Sequence, residues 1–262
     1  MSIGNPSVQI ALSLEALGPL PARDAITRAG HAGYCAIAIP ALRRDFSPES
    51  LGRSGTRDLA AFLGKNNLAV SWLSAGARGR FAVSSMLEED IAKVLSIIQL
   101  SGVLRAACVS VNLGMVGSVD SLPAENVRQA LRALADEADR LGVTIALSAS
   151  SGEIGIVDGL LAGFPDAPLG RLLDPARALF AGSDPVDETL RAGRVVAVRA
   201  SDSSAEQADL APGEGRVTWR DLLAALAARD YYGYLTVDFA PGGDCVRRAA
   251  TARSVLFNVA GR

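Results

Sequence analysis

Apolar runs typical of β-strands alternate with helix-like segments eight times along this chain of 262 residues. The first two runs are VQIALS, from Val8 to Ser13, and YCAIAI, from Tyr34 to Ile39. In a later helix-like segment, Val127, Leu131 and Leu134 recur at the spacing of an amphipathic helix. Eight strand-helix units without a break in composition predict a parallel sheet closed into a (β/α)8 TIM barrel. Because this fold commonly takes about 250 residues, we expect a single domain over residues 1–262.

Glycine and proline mark several of the predicted element boundaries. Gly33, Gly102 and Gly142 each follow a helix-like segment, where a helix commonly ends in a left-handed residue. Pro40 stops the second strand, and Pro123 lies in the first turn of a helix. The other predicted strands are Leu68–Leu73, Arg105–Asn112 and the runs VTIAL, RLL, VVAV and YLTV. The other predicted helices are Ala22–Ala32, Met86–Leu100, Ile156–Phe164, Pro185–Ala192, Trp219–Ala228 and Asp244–Val259.

A polar residue follows each of the last four strand-like runs. These residues are Ser148 after VTIAL, Asp174 after RLL, Arg199 after VVAV and Asp238 after YLTV. The strands of a parallel sheet are buried on both faces, so a polar residue at the end of a run is expected at the carboxyl edge. Sites of α/β proteins lie at that edge. The pattern therefore predicts that these four side chains meet in one pocket at the barrel mouth.

Charge and hydropathy exclude several classes of partner. Acidic residues number 28 and basic residues 26, without a basic block, so nothing indicates binding to nucleic acid or to an anionic membrane. No apolar run approaches the roughly 18 residues of a membrane span, and Glu15 interrupts the apolar stretch near the start of the sequence. We therefore expect a cytoplasmic protein whose partner is a small neutral or anionic metabolite.

The cysteines and the one histidine do not suggest a metal site. Cys35 and Cys108 lie in strand-like runs and Cys245 opens a late helix, without CxxC spacing. All three are expected to be core or near-core thiols rather than disulfides or zinc ligands. His31, on the first helix, is expected at the surface or at a helix end.

Several phrases along the chain match one family in order and spacing. They are AITRAGHAGYCAIAI, NNLAVSWLSAG, ADRLGVTIALS, LLDPARAL, VVAVRASD, PGEGRVTW and YYGYLTVD. With these phrases the sequence resembles the xylose-isomerase-like TIM barrels of the sugar phosphate isomerase/epimerase superfamily, over nearly its whole length. The resemblance implies a divalent metal held by Glu, Asp, His and Glu at the ends of strands five to eight. It also implies isomerase chemistry in which the two glutamates exchange protons with a carbohydrate.

The sequence departs from that family at the metal ligands. Position by position, the resemblance places Ser148 where the first Glu is expected, Arg199 at the His and Asp238 at the second Glu, while Asp174 is retained. A second family histidine is replaced by Arg177. The acidic residue often found at the end of strand two is Ala38. The family's metal site is therefore expected to be degenerate, and no cofactor is predicted.

Arg199 is the most consequential of these departures. A guanidinium stays protonated and has no lone pair to offer, so it repels a dication a few ångströms away. Its planar fork suits two carboxylates, and we expect Arg199 to lie between Asp174 and Asp238 as the cation of the site. The alternative is that Arg199 points away and pairs with Asp202 or solvent. Asp174 and Asp238 are the candidate catalytic residues, with Asp238 as a candidate single base, and Ser148 is a candidate hydrogen-bonding group for a ligand hydroxyl.

Further polar residues end the middle strands. Trp72 and Ser74 close strand three, where the indole can stack on a sugar ring or simply cap the barrel. Asn112 ends strand four and can bond a ligand hydroxyl or brace the following loop. Arg177 adds a positive charge at the mouth, which makes an anionic ligand such as a carboxylate or a phosphate plausible.

The long segment between the last two predicted barrel units is a candidate phosphate loop. It runs from Ser201 to Thr218, and barrels often bind phosphate after strands seven and eight. The candidate groups for an anion cradle are Ser203, Ser204, Gly213, Gly215 and Arg216. The alternative is that PGEG forms only a turn.

Three hypotheses for function remain open. The protein is a barrel that binds a sugar-like or anionic metabolite without the family's metal, with catalysis impaired. Alternatively, it is a carbohydrate isomerase or epimerase with a changed, metal-independent mechanism. The third hypothesis is a structural or partner-binding barrel whose mouth is plugged. An open mouth lined by Trp72 and Arg177 favours the first two.

Overall fold

Eight parallel strands form a closed barrel in chain order, and the last strand pairs with the first. The computed structural model describes residues 9–76, 81, 84–114, 116, 118–148 and 154–260. The strands are β1 (Gln9–Ser13), β2 (Ala36–Pro40), β3 (Ala69–Ser74), β4 (Cys108–Asn112), β5 (Thr144–Ser148), β6 (Leu169–Leu173), β7 (Val195–Ala200) and β8 (Tyr234–Val237). The predicted (β/α)8 TIM barrel is therefore confirmed. Val8, the predicted first residue of the first strand, lies outside the described residues.

Helices follow the strands along the chain. They are α1 (Ala22–His31), α2 (Pro48–Lys65), α3 (Leu87–Leu104), α4 (Leu122–Leu141), α5 (Ile154–Leu161), α6 (Pro175–Phe180), α7 (Pro185–Arg191), α8 (Trp219–Ala228) and α9 (Cys245–Ala260). Two of them, α2 and α6, were not among the predicted elements. α2 buries few apolar residues and kinks at Gly52, whose φ is 55°. α6 has only six residues. Neither segment therefore gives a clear helical repeat.

The predicted end of the third helix at Gly102 is wrong. α3 continues to Leu104, and Arg105 then adopts the left-handed conformation, with φ 53° and ψ 42°. Its N–H bonds the carbonyl of Gly102, which satisfies an end group of the helix without a glycine at that position. Arg105 was predicted to open the fourth strand and instead ends a helix. Gly33 and Gly142 occupy left-handed positions as predicted, with φ of 82° and 64°.

The barrel interior is filled by small side chains around one indole. Trp72 is 5% exposed and packs among alanine, cysteine and leucine side chains. These neighbours are Ala38, Cys108, Ala146, Leu172 and Ala197. Since alanine leaves room in the middle of the barrel, Trp72 fills the space and forms part of the floor beneath the mouth.

The cysteines differ in their exposure. Cys108 is buried as predicted, and burial raises the pKa of its thiol to about 12. Cys245 is half-buried. The prediction for Cys35 is wrong, because this residue precedes β2 at the amino end of the barrel and is exposed. His31 is exposed at the last position of α1, as predicted.

In the part of the chain that the structure describes, every helix is too short or too polar to cross a bilayer.

Candidate functional site

A cavity of about 290 Å³ opens at the carboxyl ends of the strands. The four residues predicted from the ends of the last strands, Ser148, Asp174, Arg199 and Asp238, all line it. The remaining predicted side chains on its wall are Trp72, Ser74, Asn112 and Arg177. The strand-end pattern thus brings eight predicted site residues to one place, whereas the five anion-cradle candidates, Ser203, Ser204, Gly213, Gly215 and Arg216, do not line this cavity.

Arg199 lies between the two aspartates. Its Nε donates to Oδ2 of Asp238 at 2.8 Å, and its Nη1 donates to Oδ2 of Asp174 at 2.9 Å. The side chains of all three are less than a fifth exposed. The alternative pairing with Asp202 is not observed, because that carboxylate has other donors.

Asp209 is a third carboxylate on Arg199 that the sequence patterns did not indicate. Its Oδ1 accepts a hydrogen bond from Nη1 of Arg199 at 2.6 Å. Arg177 also reaches this group, with Nη2 3.6 Å from Oδ2 of Asp209 and Nε 3.3 Å from Oδ2 of Asp174. Asp209 lies in the irregular loop after β7, with a left-handed φ of 60°. Strand and helix periodicity give no signal for such a position.

Asp174 is held by more than its ion pairs. It follows β6 directly and caps α6, because its Oδ1 accepts the N–H of Arg177 at 3.1 Å. The hydroxyl of Ser201 donates to the same oxygen at 3.1 Å. Each oxygen of Asp174 is therefore occupied by donors from the chain itself.

The carboxylates keep Arg199 protonated. Burial alone would lower the pKa of its guanidinium, but the surrounding carboxylates, with Asp238 contributing most, raise that pKa well above its usual value. The guanidinium is therefore a permanent cation at the centre of the mouth.

These residues do not fit the divalent metal that the family resemblance implies. The oxygens of Asp174 and Asp238 that face each other hold one guanidinium, and a dication between them would meet a fixed positive charge. Among the described residues, no three His, Cys, Asp or Glu side chains are grouped so that they could hold a metal ion. The predicted absence of a resident metal stays a prediction.

Hydroxyl and amide groups line the mouth from β1, β4 and β5, and we call this lining the hydroxyl wall. Ser13 from β1 and Ser110 from β4 line the cavity although both residues are more than nine-tenths buried. Ser148 lines the cavity from the end of β5, the strand next to β4. Asn112 uses its Oδ1 to accept the N–H of Gly114 at 2.8 Å, so it braces the loop while its amide nitrogen stays available to a ligand. This wall can hydrogen-bond several ligand hydroxyls.

Glu15 also lines the mouth and was not predicted as a site residue. It lies in a single 3₁₀ turn, Leu14–Leu17, that begins directly after β1. Glu15 is exposed to solvent, and it lines the cavity. Burial, and next the charge of Asp238, raise the pKa of Glu15, while Arg199 and Arg43 oppose the rise. The strand-end rule would have found Glu15 only if the search had been extended two positions beyond the end of β1.

An ionic cluster forms one flank of the cavity. Arg171 of β6 is 4% exposed and pairs with Asp158 of α5 at 3.0 Å and with Glu188 of α7. Burial raises the pKa of Glu188, and the positive charge of Arg171 opposes the rise. The second oxygen of Glu188 is buried, and the described residues offer it no hydrogen-bond partner. Arg171 and Glu188 both reach the cavity wall.

The candidate anion cradle after β7 binds a carboxylate of the chain itself. Asp202 is 1% exposed and accepts the N–H groups of Ser203, Gly213 and Val217, each at 2.9 Å. The indole N–H of Trp219 also donates to it, at 3.3 Å. The loop therefore has the donors of a phosphate site but directs them to Asp202. Its remaining candidates do not reach the mouth either: Arg216 is exposed and does not line the cavity.

The comparisons with known proteins agree with this architecture. The family profile described as xylose isomerase-like TIM barrel matches residues 26–255, so the chain belongs to that family. No curated protein matches the sequence significantly. A xylose isomerase domain protein from Planctomyces limnophilus superimposes with a TM-score of 0.82 at 16% identity, over 97% of this chain and 96% of that one.

Two further solved structures share the fold. An IolI protein with a bound zinc atom has a TM-score of 0.80 at 16% identity, over 97% of this chain and 98% of that one. D-allulose 3-epimerase from Methylomonas sp., in complex with D-allulose, has a TM-score of 0.77 at 17% identity, over 95% of this chain and 96% of that one. At these identities the likeness extends to the fold alone.

Proposed function

We propose that this protein binds a small polyhydroxylated metabolite at the barrel mouth and that Arg199 supplies the positive charge that a divalent metal supplies elsewhere in the family. The observation that carries the proposal is the position of Arg199, which donates to Asp174 and Asp238 at hydrogen-bond distance. An isomerase of the family's type needs two free bases, whereas both aspartates here are bound to a cation. Binding is therefore better supported than proton transfer.

The open mouth supports binding over a purely structural role. The cavity holds about 290 Å³, and Trp72 and Arg177 both line it. Pockets for small molecules begin at roughly that size. Hydroxyl groups and an indole in the cavity lining are the groups expected for a sugar or a polyol. A known relative in fold binds D-allulose. The predicted catalytic roles of Asp174 and Asp238 stay predictions.

Neutral sugars and polyols are expected to raise the melting temperature in the presence of a chelator. A ligand at 100 times its Kd stabilises the folded state by about 2.7 kcal/mol, which raises the Tm of a chain of this size by roughly 5–10 °C. A panel of neutral aldoses, ketoses and cyclitols, measured by differential scanning fluorimetry with EDTA, would identify the ligand.

Ser110→Leu tests whether the rise in melting temperature comes from binding in this cavity. It places a larger apolar side chain on the cavity wall and should abolish the rise. Ser254→Leu, an exposed serine of α9, is the control and should retain it. The proposal would be contradicted by the absence of any shift across the panel, by a shift that survives Ser110→Leu, or by a shift that EDTA removes.

A further inference from the structure

Among the described charged side chains at the mouth, Glu15 differs from the rest in its pairing. The carboxylates of Asp174, Asp209 and Asp238 bind Arg199, and Glu188 binds Arg171. The positive groups are likewise engaged with carboxylates. The carboxylate of Glu15 has neither a hydrogen bond nor an ion pair within the described part of the chain, and its interactions with charged groups are through space. It is therefore available to a ligand.

Among the described residues that line the cavity or pair with its lining, carboxylates outnumber guanidinium groups. Six carboxylates belong to the mouth and its flanking ion pairs, and three guanidinium groups face them, counted over the described residues. The carboxylates are Glu15, Asp158, Asp174, Glu188, Asp209 and Asp238, and the guanidinium groups are Arg171, Arg177 and Arg199. The expectation of an anionic ligand rested on Arg177 and on the candidate cradle after β7. Arg177 is paired with Asp174 and Asp209, and the donors of the cradle bind Asp202. These described groups together repel a phosphate and attract a cation.

The hydroxyl wall provides an independent indication of a ligand. Ser13 and Ser110 are 4% and 9% exposed and line the cavity, yet the described residues offer their hydroxyl groups no hydrogen-bond partner. Neither hydroxyl oxygen is among the fully enclosed side-chain atoms that lack a partner, so both open into the cavity, where they can hydrogen-bond a ligand hydroxyl. Ser13 ends β1 and Glu15 lies two residues further on, so one of these hydroxyl groups and the unpaired carboxylate are both carried by the end of β1.

We propose that the ligand is a polyhydroxylated molecule that carries a protonated amine. Its hydroxyl groups bind the hydroxyl wall, and its amine binds Glu15. This inference rests on the proposed binding of a polyol and narrows its class. An ammonium group donates up to three hydrogen bonds, and one bond to a free carboxylate in a partly desolvated mouth is charge-assisted. Asp174, Asp209 and Asp238 bind the guanidinium of Arg199, and their negative charge exceeds its positive charge. This excess also attracts the ammonium group.

Two matched series of ligands, each with a neutral, an amine and a phosphate member, test which charge the ligand carries. Their binding is measured by isothermal titration calorimetry at pH 7.5. The linear series is sorbitol, 1-amino-1-deoxysorbitol and sorbitol 6-phosphate, and the cyclic series is glucose, glucosamine and glucose 6-phosphate. In the series that fits the mouth, the amine is expected to bind about tenfold more tightly than the neutral parent, because charge-assisted hydrogen bonds are the stronger class. The phosphate is expected to bind more weakly than the parent.

Glu15→Gln should remove the amine preference and leave the affinity for the neutral parent nearly unchanged, since the amide keeps the shape of the side chain. Glu49→Gln, at an exposed glutamate of α2 that does not line the cavity, is the control and should keep the preference. The amine's affinity should also increase as the pH rises through the raised pKa of Glu15, because the carboxylate must be ionised to attract the ammonium. Asp238, Arg199 and Arg43 are the charged groups that act on it.

Equal binding of amine and parent, tighter binding of the phosphate, or an amine preference that persists in Glu15→Gln would overturn this inference while leaving polyol binding intact. If no member of either series binds, and the wider panel of neutral sugars also gives no thermal shift, the proposed function and this inference both fail.

Discussion

Replacing Arg199 by alanine is expected to lower the free energy of unfolding by about 3–5 kcal/mol at pH 7, because it breaks a buried ion cluster. Three carboxylates would remain close together, and only Arg177, which is nearly half exposed, would face two of them. The free energy of unfolding can be measured by urea titration with circular dichroism. The free energy of unfolding of Arg199→Lys should lie between those of the wild type and Arg199→Ala, because an ammonium keeps the charge but not the planar fork.

Arg191→Ala is the matched control for that measurement. Its side chain is 79% exposed and 3.8 Å from Asp187, so its loss should cost no more than about 1 kcal/mol. If Arg199→Ala were as mild as this control, Arg199 would be a solvated side chain, and its role as the cation of the mouth would be refuted.

Replacing Asp202 by alanine is the second substitution with a large expected effect. It would leave three backbone N–H groups and the indole N–H of Trp219 without their acceptor. Hydrogen bonds to a charged group contribute about 1.5–3 kcal/mol each, so we expect a loss of about 4 kcal/mol or more. The loop after β7 should also lose its shape, because the backbone of Asp202 pairs with Leu210, next to Asp209.

Asp166→Ala, at an exposed position in a turn, is the control for Asp202→Ala and should remain within about 0.5 kcal/mol of the parent. The same urea titrations apply to this pair. A loss of less than about 1 kcal/mol for Asp202→Ala would mean that the loop satisfies its donors in another way.

The strand-end rule explains why the sequence predicts much of the site. The side chains of parallel strands meet at one edge, so Ser148, Asp174, Arg199 and Asp238 are placed together as soon as their strands are recognised. Glu15 obeys a closely related rule. It is reached by extending the search two residues beyond the end of β1.

The remaining contacts depend on tertiary geometry that no local pattern encodes. Asp209 reaches Arg199 from an irregular loop. The sequence around Arg171 predicts only a short strand and gives no sign of its ion pairs. Its partners Asp158 and Glu188 come from two different helices. The loop after β7 has the glycines and serines of an anion site, but only the structure reveals that Asp202 fills it.

A titration with Mn²⁺ tests most directly whether Arg199 has replaced the metal. The metal-stripped wild-type protein should bind no stoichiometric Mn²⁺ by calorimetry, and elemental analysis after dialysis against Mn²⁺ should agree. The variant that combines Ser148→Glu, Arg199→His and Asp238→Glu restores the ligand types implied by the family, and it should bind one Mn²⁺ per chain. Stoichiometric Mn²⁺ in the wild-type protein, lost on Asp174→Ala, would contradict the account.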